Sequence, residues 1–217
     1  MGFIQTAPML ANTYLDDRVL RSWLRRVLPP TVLADYEGKL AEFGELAAND
    51  WYTQQLAQRH LEPRHLPFDA FGQRVDHVEV SPFWRDAPAI AATWGLIALG
   101  QDDWLAQHGR PLQFAFNYLF HPSSELYSCP LAMTDGALKV LMDSDNKALI
   151  DRAVPHLISR DPKQFWISGQ WMTETSGGSD VGGSETIARQ DDRGRWRLSG
   201  RKWFASAITC DIALVLA

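Results

Sequence analysis

The hydrophobic periodicity of this chain changes near Asp161-Pro162. Before this point apolar residues recur at helical spacing, and after it apolar and polar residues alternate, as around Phe165 and Ile167. Apolar residues three and four apart predict amphipathic helices, whereas alternation predicts strands. Helices followed by consecutive antiparallel strands indicate the α+β class. We therefore predict an all-α domain over residues 1–160 and the first part of a β-domain over residues 161–217.

The all-α domain is predicted to begin with an extended arm over residues 1–15, because Pro8 and Asn12 disfavour helix there. Residues 61–80 are rich in proline, and the sequence Asp69-Ala70-Phe71-Gly72 predicts a turn between two short extended pieces. Helical periodicity predicts helices over residues 16–28, 31–58, 82–100, 101–120, 124–142 and 146–158.

The β-domain is predicted to consist of short strands joined by turns. Alternation predicts these strands over residues 165–173, 186–190, 196–198, 202–206 and 212–216. Asp191-Asp192-Arg193-Gly194 predicts a hairpin turn between the second strand and the third. A β-domain of about fifty residues has little core and leaves an open apolar edge. We therefore expect the domain to continue beyond Ala217.

Charge and cysteine content narrow the function classes. The net charge of -5 argues against a strong nucleic-acid footprint in this portion of the protein. The cluster of Arg21, Arg25 and Arg26 is either a solvated helix face or a DNA contact. Cys129 and Cys210 have no paired spacing, so we expect two buried small residues in a reducing, cytoplasmic protein.

The sequence shows no sign of a membrane segment or a metal site. The longest apolar stretch, residues 87–100, is too short to span a bilayer. The N-terminus lacks the pattern of a secretory signal, and the six histidines have no metal-ligand spacing. We expect neither membrane association nor a bound metal.

A glycine- and serine-rich segment, residues 174–181, carries the first candidate for chemistry. The consecutive Gly177 and Gly178 allow the backbone to approach a bulky ligand and to direct successive N–H groups at one anion. Ser179 adds a hydroxyl donor at the same place. These features fit a pyrophosphate, and they equally fit a long, flexible hairpin loop.

A second candidate lies at residues 200–206. In the predicted strand, Trp203 and Phe204 face opposite sides, so one ring can pack inward while the other meets the plane of a ligand. Ser206 shares the face of Phe204 and could donate to a ring nitrogen or oxygen. Ordinary core packing of Trp203 and Phe204 is the alternative.

Together the two segments resemble a known family. The order Met-Thr-Glu at 172–174, Gly-Gly-Ser-Asp-Val at 177–181, a hairpin, and Gly-x-Lys-Trp-Phe-x-Ser at 200–206 resembles the acyl-CoA dehydrogenase family. The tryptophan-phenylalanine pair and the long arm resemble its AidB-type branch of adaptive-response flavoproteins, in the N-terminal portion. The resemblance implies an α-domain, a middle antiparallel β-barrel or β-sandwich domain, and a C-terminal four-helix domain that is absent from this sequence. It also implies a homotetramer.

The resemblance further implies that the protein binds FAD. Thr173 would hydrogen-bond the flavin ring, with Gly178 and Ser179 at the pyrophosphate, Phe204 against the isoalloxazine and Ser206 at its N5 edge. The complete set of implied cofactor-binding residues is Gln170, Trp171, Met172, Thr173, Gly178, Ser179, Phe204, Ala205 and Ser206. We interpret Glu174 and Asp180 as loop-shaping residues, because acids at strand ends commonly accept backbone N–H bonds.

The implied activity is α,β-dehydrogenation of an acyl-CoA thioester. In the family the catalytic base comes from the C-terminal domain, so no catalytic residue is predicted here, and the fragment alone is expected to be inactive. Residues 118–133 correspond to the place where the family builds its acyl pocket, and ordinary helix packing is the alternative. Two other functions stay open: an ordinary catabolic acyl-CoA dehydrogenase, and a flavin-containing protein that binds and protects DNA in the alkylation response.

Overall fold

The computed structural model describes residues 2, 4–6 and 9–217. Met1, Phe3, Ala7 and Pro8 lie outside the described residues, and part of the predicted N-terminal arm falls on them. The remainder of that arm has no helix or strand, as expected.

The described residues form seven α-helices and six strands. The helices are α1 (Arg18–Val27), α2 (Pro30–Leu46), α3 (Tyr52–Gln58), α4 (Pro82–Trp94), α5 (Gly109–Phe120), α6 (Ser128–Met142) and α7 (Lys147–Leu157). The strands are β1 (Arg64–Phe68), β2 (Arg74–Glu79), β3 (Ser168–Trp171), β4 (Ile187–Gln190), β5 (Trp196–Ser199) and β6 (Ile212–Val215). Helices followed by small sheets confirm the predicted α+β class.

Side-chain caps set the start of three helices. Asp17 accepts the N–H of Leu20 ahead of α1, and Ser81 accepts the N–H of Trp84 ahead of α4. Asn146 caps α7 in the same way. Each cap satisfies a backbone donor that has no partner within its helix.

Three predicted helices differ from the structure. The helix expected over 31–58 is divided into α2 and α3 by a π-helical turn at Ala47–Trp51. The helix expected over 82–100 ends at Trp94, because Gly95 adopts a left-handed φ of 64° and its N–H turns back to the last carbonyls. In the helix expected over 101–120, the Asp102 side chain accepts the N–H of Trp104 and forms a turn, so α5 begins only at Gly109.

An aromatic cluster holds the helices together. Phe43 on α2 is fully buried, and its ring centroid lies 4.8 Å from Trp51, 5.0 Å from Trp94 and 5.1 Å from Phe116, all edge-on. Edge-to-face pairs at these distances add to the stabilisation from apolar burial. The cluster therefore locks α2, α4 and α5 and gives the π-helical turn a packing role, because that turn contains Trp51.

The strands form three two-stranded sheets. Hairpin β1–β2 confirms the turn predicted at residues 69–72, where the Asp69 carboxylate accepts the N–H groups of Phe71 and Gln73. Hairpin β4–β5 is antiparallel, as predicted. Strands β3 and β6 pair in parallel, with Ser168 opposite Ile212, so the expectation of consecutive antiparallel strands is wrong for this pair. The β4–β5 hairpin lies between them in the chain and supplies the long connection that parallel pairing needs.

Helix α6 meets strand β3 through buried polar contacts. The N–H of Ser168 donates to the Thr134 hydroxyl at 3.0 Å, and that hydroxyl donates to the Pro130 carbonyl at 2.8 Å. The N–H of Ile167 donates to the Asp211 carboxylate at 2.9 Å, ahead of β6. The helical part and the β part therefore share a defined seam.

The two cysteines differ in their exposure. Cys210 is half-buried, but Cys129 lies on the exposed side of α6, so the expectation that both are buried is wrong for Cys129. Both thiols are free.

Within the described residues, no helix is long and apolar enough to cross a membrane.

We predict that Phe43→Ala lowers the free energy of unfolding by about 3–5 kcal/mol, because it empties the centre of the aromatic cluster. Urea denaturation measures the change. Phe71→Ala is the matched control, since Phe71 is 90% exposed at the β1–β2 turn; its effect should stay within about 0.5 kcal/mol. Equal losses in the two variants would contradict the packing assignment.

Candidate functional site

The two segments singled out from the sequence lie side by side. The N–H of Trp203 donates to the Thr173 carbonyl at 2.9 Å. The indole Nε1 of Trp171 donates to the Ser206 carbonyl, also at 2.9 Å. The structure thus brings the end of β3 and its following residues against residues 203–206.

A buried ion pair lies at the centre of this arrangement. Glu174 and Lys202 are 4% and 9% exposed, and the Lys202 Nζ lies 2.8 Å from the Glu174 carboxylate. That carboxylate also accepts the N–H groups of Glu185 and Thr186, at 2.6 and 3.0 Å, and the Thr186 hydroxyl at 2.5 Å. Lys202 Nζ donates in addition to the Met172 carbonyl at 3.2 Å. One carboxylate therefore connects three separate stretches of chain.

These donors keep Glu174 ionised. The Lys202 ammonium, helped by the Thr186 hydroxyl and the Glu185 N–H, lowers the pKa of Glu174 from 4.5 to about 2. A carboxylate with this pKa and four bonds from donors is a poor proton acceptor near neutral pH. The backbone bonds that Glu174 accepts confirm its predicted loop-shaping role. Its partner Lys202 lies 28 residues further along the chain, so local residue spacing does not indicate the pair.

The glycine-rich loop is folded by its own backbone. Glu174 and Gly177 exchange two N–H···O bonds of 3.1 Å across a two-residue turn. A Cβ on Gly178 would lie 2.9 Å from the Thr173 methyl carbon, so only glycine fits there without a shift. Asp180 accepts the N–H of Gly182 at 3.1 Å, which confirms the loop-shaping role predicted for this acid as well.

A cavity of about 420 Å³ opens over this loop. Gly178 and Ser179 line it, together with the two acids Glu174 and Asp180. Among the described residues, the N–H groups of Gly178, Ser179 and Asp180 donate to no protein acceptor. Both carboxylates already accept N–H bonds, so the donors left over suit an anionic ligand. Successive free N–H groups beside a serine hydroxyl fit a diphosphate.

The segment at 202–206 is not a strand, so that prediction is wrong. Phe204 has a left-handed φ of 57°, which breaks the extended backbone. Lys202 turns its side chain to Glu174, and Trp203 makes a single backbone bond to Thr173 in place of a ladder. Strand alternation therefore cannot place Phe204 and Ser206 on one face. The turn instead leaves the Phe204 ring 84% exposed beside a half-exposed Trp203.

The other predicted cofactor residues surround this turn. Gln170 lies on β3 and is half-buried, as are Met172 and Ala205. Ala205 also lines a second cavity, of about 370 Å³, which adjoins a third of about 810 Å³. Trp84 and Ala207 line both of these cavities. We call the two together the hairpin groove, because it lies beneath hairpin β1–β2.

The hairpin groove has features of a ligand site that sequence patterns did not indicate. Tyr127 lines it, is 3% exposed, and packs its ring edge-on against Trp84 at 4.8 Å. Burial raises the pKa of Tyr127. Asp76, Glu125 and Ala207, which also line the groove, have positive φ. Strained backbone of this kind recurs at ligand sites.

Two family models match the chain. The model described as adaptive response protein AidB N-terminal domain matches residues 5–162. The model described as acyl-CoA dehydrogenase, middle domain, matches residues 169–217.

Individual relatives agree with these matches. Acyl-CoA dehydrogenase family member 11 of Caenorhabditis elegans is 44% identical over 223 aligned positions, which cover 100% of this chain and 36% of the relative. The AidB protein of Escherichia coli (strain K12) is 34% identical over 164 positions, covering 71% of this chain and 30% of the relative. The chain therefore spans about a third of the length of these curated relatives.

Two solved structures share the fold. The crystal structure of Caenorhabditis elegans ACDH-11 in complex with C11-CoA has a TM-score of 0.92 and 42% identity, and covers 99% of this chain and 37% of that one. Bd2924 in its apo form has a TM-score of 0.92 and 40% identity, and covers 99% of this chain and 44% of that one.

We predict that Glu174 makes stability depend on pH in the acid range. Because its pKa is lowered on folding, its contribution is complete above pH 4.5 and is lost as the pH falls towards about 2. The free energy of unfolding, measured by urea denaturation across this window, should therefore fall more steeply in the wild type than in Glu174→Gln. Parallel pH profiles in the two proteins would contradict the network described for Glu174.

Proposed function

The chain belongs to the acyl-CoA dehydrogenase family, in its AidB-type branch, and on that premise we propose that the protein is an FAD-dependent oxidoreductase that acts on acyl-CoA thioesters. The observation that carries the proposal is the contact between the two motif segments. A loop with free N–H groups over a cavity and an exposed aromatic turn belong to one hydrogen-bonded unit. A dinucleotide with a diphosphate and a planar ring needs both.

In this proposal the loop binds the diphosphate of FAD. The N–H groups of Gly178 and Ser179, with the Ser179 hydroxyl, donate to phosphate oxygens. No lysine or arginine lines the 420 Å³ cavity, so its binding power comes from backbone dipoles rather than from an ion pair.

The flavin ring is assigned to the residues around the aromatic turn. Phe204 packs its ring against the isoalloxazine and excludes water from one side, and Ser206 donates to the N5 edge. Gln170, Trp171, Met172, Thr173 and Ala205 complete the surface, with Thr173 hydrogen-bonded to the ring. When bound, FAD supplies the redox chemistry by accepting the β-hydrogen of the thioester as hydride. We assign no catalytic base among these residues.

The acyl chain is assigned to the hairpin groove. Its lining joins Tyr127 and Pro130, from the segment 118–133 that the sequence analysis associated with an acyl pocket, to Trp84 and Ala207. Since Tyr127 lines this groove, we assign its hydroxyl as a donor to the carbonyl oxygen of the ligand. The bound C11-CoA of ACDH-11 supports an acyl thioester as the ligand class.

A DNA-binding flavoprotein is the second candidate function, favoured by the match to the AidB N-terminal model. Within this chain, Arg25 and Arg26 are exposed on α1, while Arg21 pairs with Glu37 at 4.0 Å. A homotetramer and a cytoplasmic location are further proposals carried by the family resemblance alone.

We expect the full-length protein to show flavin absorption bands that bleach when a medium-chain acyl-CoA thioester is added without oxygen, because reduction removes the oxidised flavin chromophore. A visible absorption titration measures this, with free coenzyme A as the control. Bands that persist after mixing would favour the DNA-associated function. A protein that binds no flavin at all would contradict the proposed function.

We further expect Ser179→Ala and Phe204→Ala to lower FAD occupancy in the full-length protein. The first removes a hydroxyl donor to the diphosphate, and the second removes the ring that packs against the isoalloxazine. The ratio of flavin to protein absorbance in the purified variants measures occupancy. Phe71→Ala is the matched control for Phe204→Ala, because both phenylalanines are exposed at a turn. Unchanged flavin spectra in both site variants would contradict the residue assignment.

A further inference from the structure

The side chains of the Glu174–Lys202 pair are largely withdrawn from water. Glutamate and lysine are seldom buried unless they are paired, and here both are less than 10% exposed. A buried pair of this kind adds little net stability compared with apolar residues, because both charges lose their hydration. Stability alone therefore gives no reason for an ion pair at this position.

The Glu174 side chain of this pair joins the two ends of the glycine-rich loop. The glycine-rich loop begins at Glu174, after β3, and ends at Glu185 and Thr186, just ahead of β4. The Glu174 carboxylate accepts the N–H groups of both end residues. The base of the loop is thus closed by one side chain. Residues 175–184, including the free N–H groups over the cavity, are held between these two points.

Lys202 connects this closed loop to the aromatic turn. Its Nζ reaches the Glu174 carboxylate, the Met172 carbonyl and, at 3.5 Å, the Ser184 hydroxyl. Trp203 and Phe204 follow directly in the chain. Since a lysine side chain has a limited reach, fixing its Nζ fixes the start of the turn relative to the loop.

We propose that Glu174 and Lys202 are positioning residues, which set the separation between the diphosphate-binding loop and the flavin-facing turn so that both can hold one FAD molecule. This inference rests on the proposed function. Glu174 lines the diphosphate cavity, but its carboxylate is taken up by protein donors, so neither side chain is assigned a bond to the cofactor. Both act through the loop and the turn that they join.

The double variant Glu174→Gln/Lys202→Met separates positioning from folding. It removes both charges together, so no isolated charge is left buried, and the fold is expected to persist. The melting temperature of the flavin-free, full-length protein should stay within about 4 °C of the wild type. The dissociation constant for FAD should rise by about 10-fold or more, the size expected for lost charged hydrogen bonds.

Lys202→Met alone gives a pH signature that a purely structural role would not. It leaves the Glu174 carboxylate buried without its counter-ion, so FAD binding should be weakest near neutral pH. Binding should improve as acidification protonates Glu174. The double variant, which has no carboxylate at position 174, should show no such recovery.

A matched control removes an equivalent pair elsewhere. Lys147 and Asp151 form an exposed pair on α7 at 2.9 Å, so Lys147→Met/Asp151→Asn should leave FAD affinity within about 2-fold of the wild type. Should the double site variant fail to fold, Thr186→Val tests the same point. It deletes one bond to Glu174 without changing charge, and FAD should bind a few-fold more weakly.

FAD titration of the stripped, full-length proteins, followed by flavin fluorescence, decides the outcome. Weaker binding by the folded site variants, with unchanged binding by the control, supports the inference. Site variants that bind FAD as tightly as the wild type overturn it and leave the proposed function intact. A wild-type protein that binds no FAD overturns the proposed function itself.

Discussion

A carboxylate taken out of water needs donors for its negative charge, and in this chain that requirement joins the segments on which the candidate site depends. Glu174 finds its donors in residues that follow it by 11, 12 and 28 positions. These donors bring two stretches of backbone, residues 185–186 and residue 202, to the same point. Strands β3 to β6 are only four residues long, and β4 and β5 are largely exposed, so ladder bonds alone would hold these stretches weakly.

The helical part is held together by a different kind of force. Its centre is the apolar burial around Phe43, where rings from three helices and a π-helical turn meet edge-on. Apolar burial is non-directional and tolerates small shifts, whereas charged hydrogen bonds fix distances. The candidate site lies in the part of the molecule held by directional bonds, and this part joins the helices through the Thr134–Ser168 seam.

Sequence patterns predicted the helices and turns that depend on residues close together in the chain. Helical spacing located α1 and α7, and turn residues located both hairpins. The pattern of Trp203 to Ser206 was misleading, because alternation cannot reveal that Phe204 takes a left-handed backbone. Nor could residue spacing reveal that Lys202 pairs with Glu174, since the tertiary fold creates this contact. The position of Tyr127 in the hairpin groove could not be predicted for the same reason, because the groove is lined by distant segments of the chain.

The parallel pairing of β3 with β6 has a consequence for the order in which the chain folds. Strand β3 acquires its partner only after residues 212–215 have been synthesised, and closing the intervening loop costs conformational entropy. The helices, whose contacts are largely complete by residue 157, can consolidate while the chain is still growing. Until the later strand arrives, α6 packs beside the unpaired β3. The helical part thus acts as the template on which the β part of the molecule is assembled.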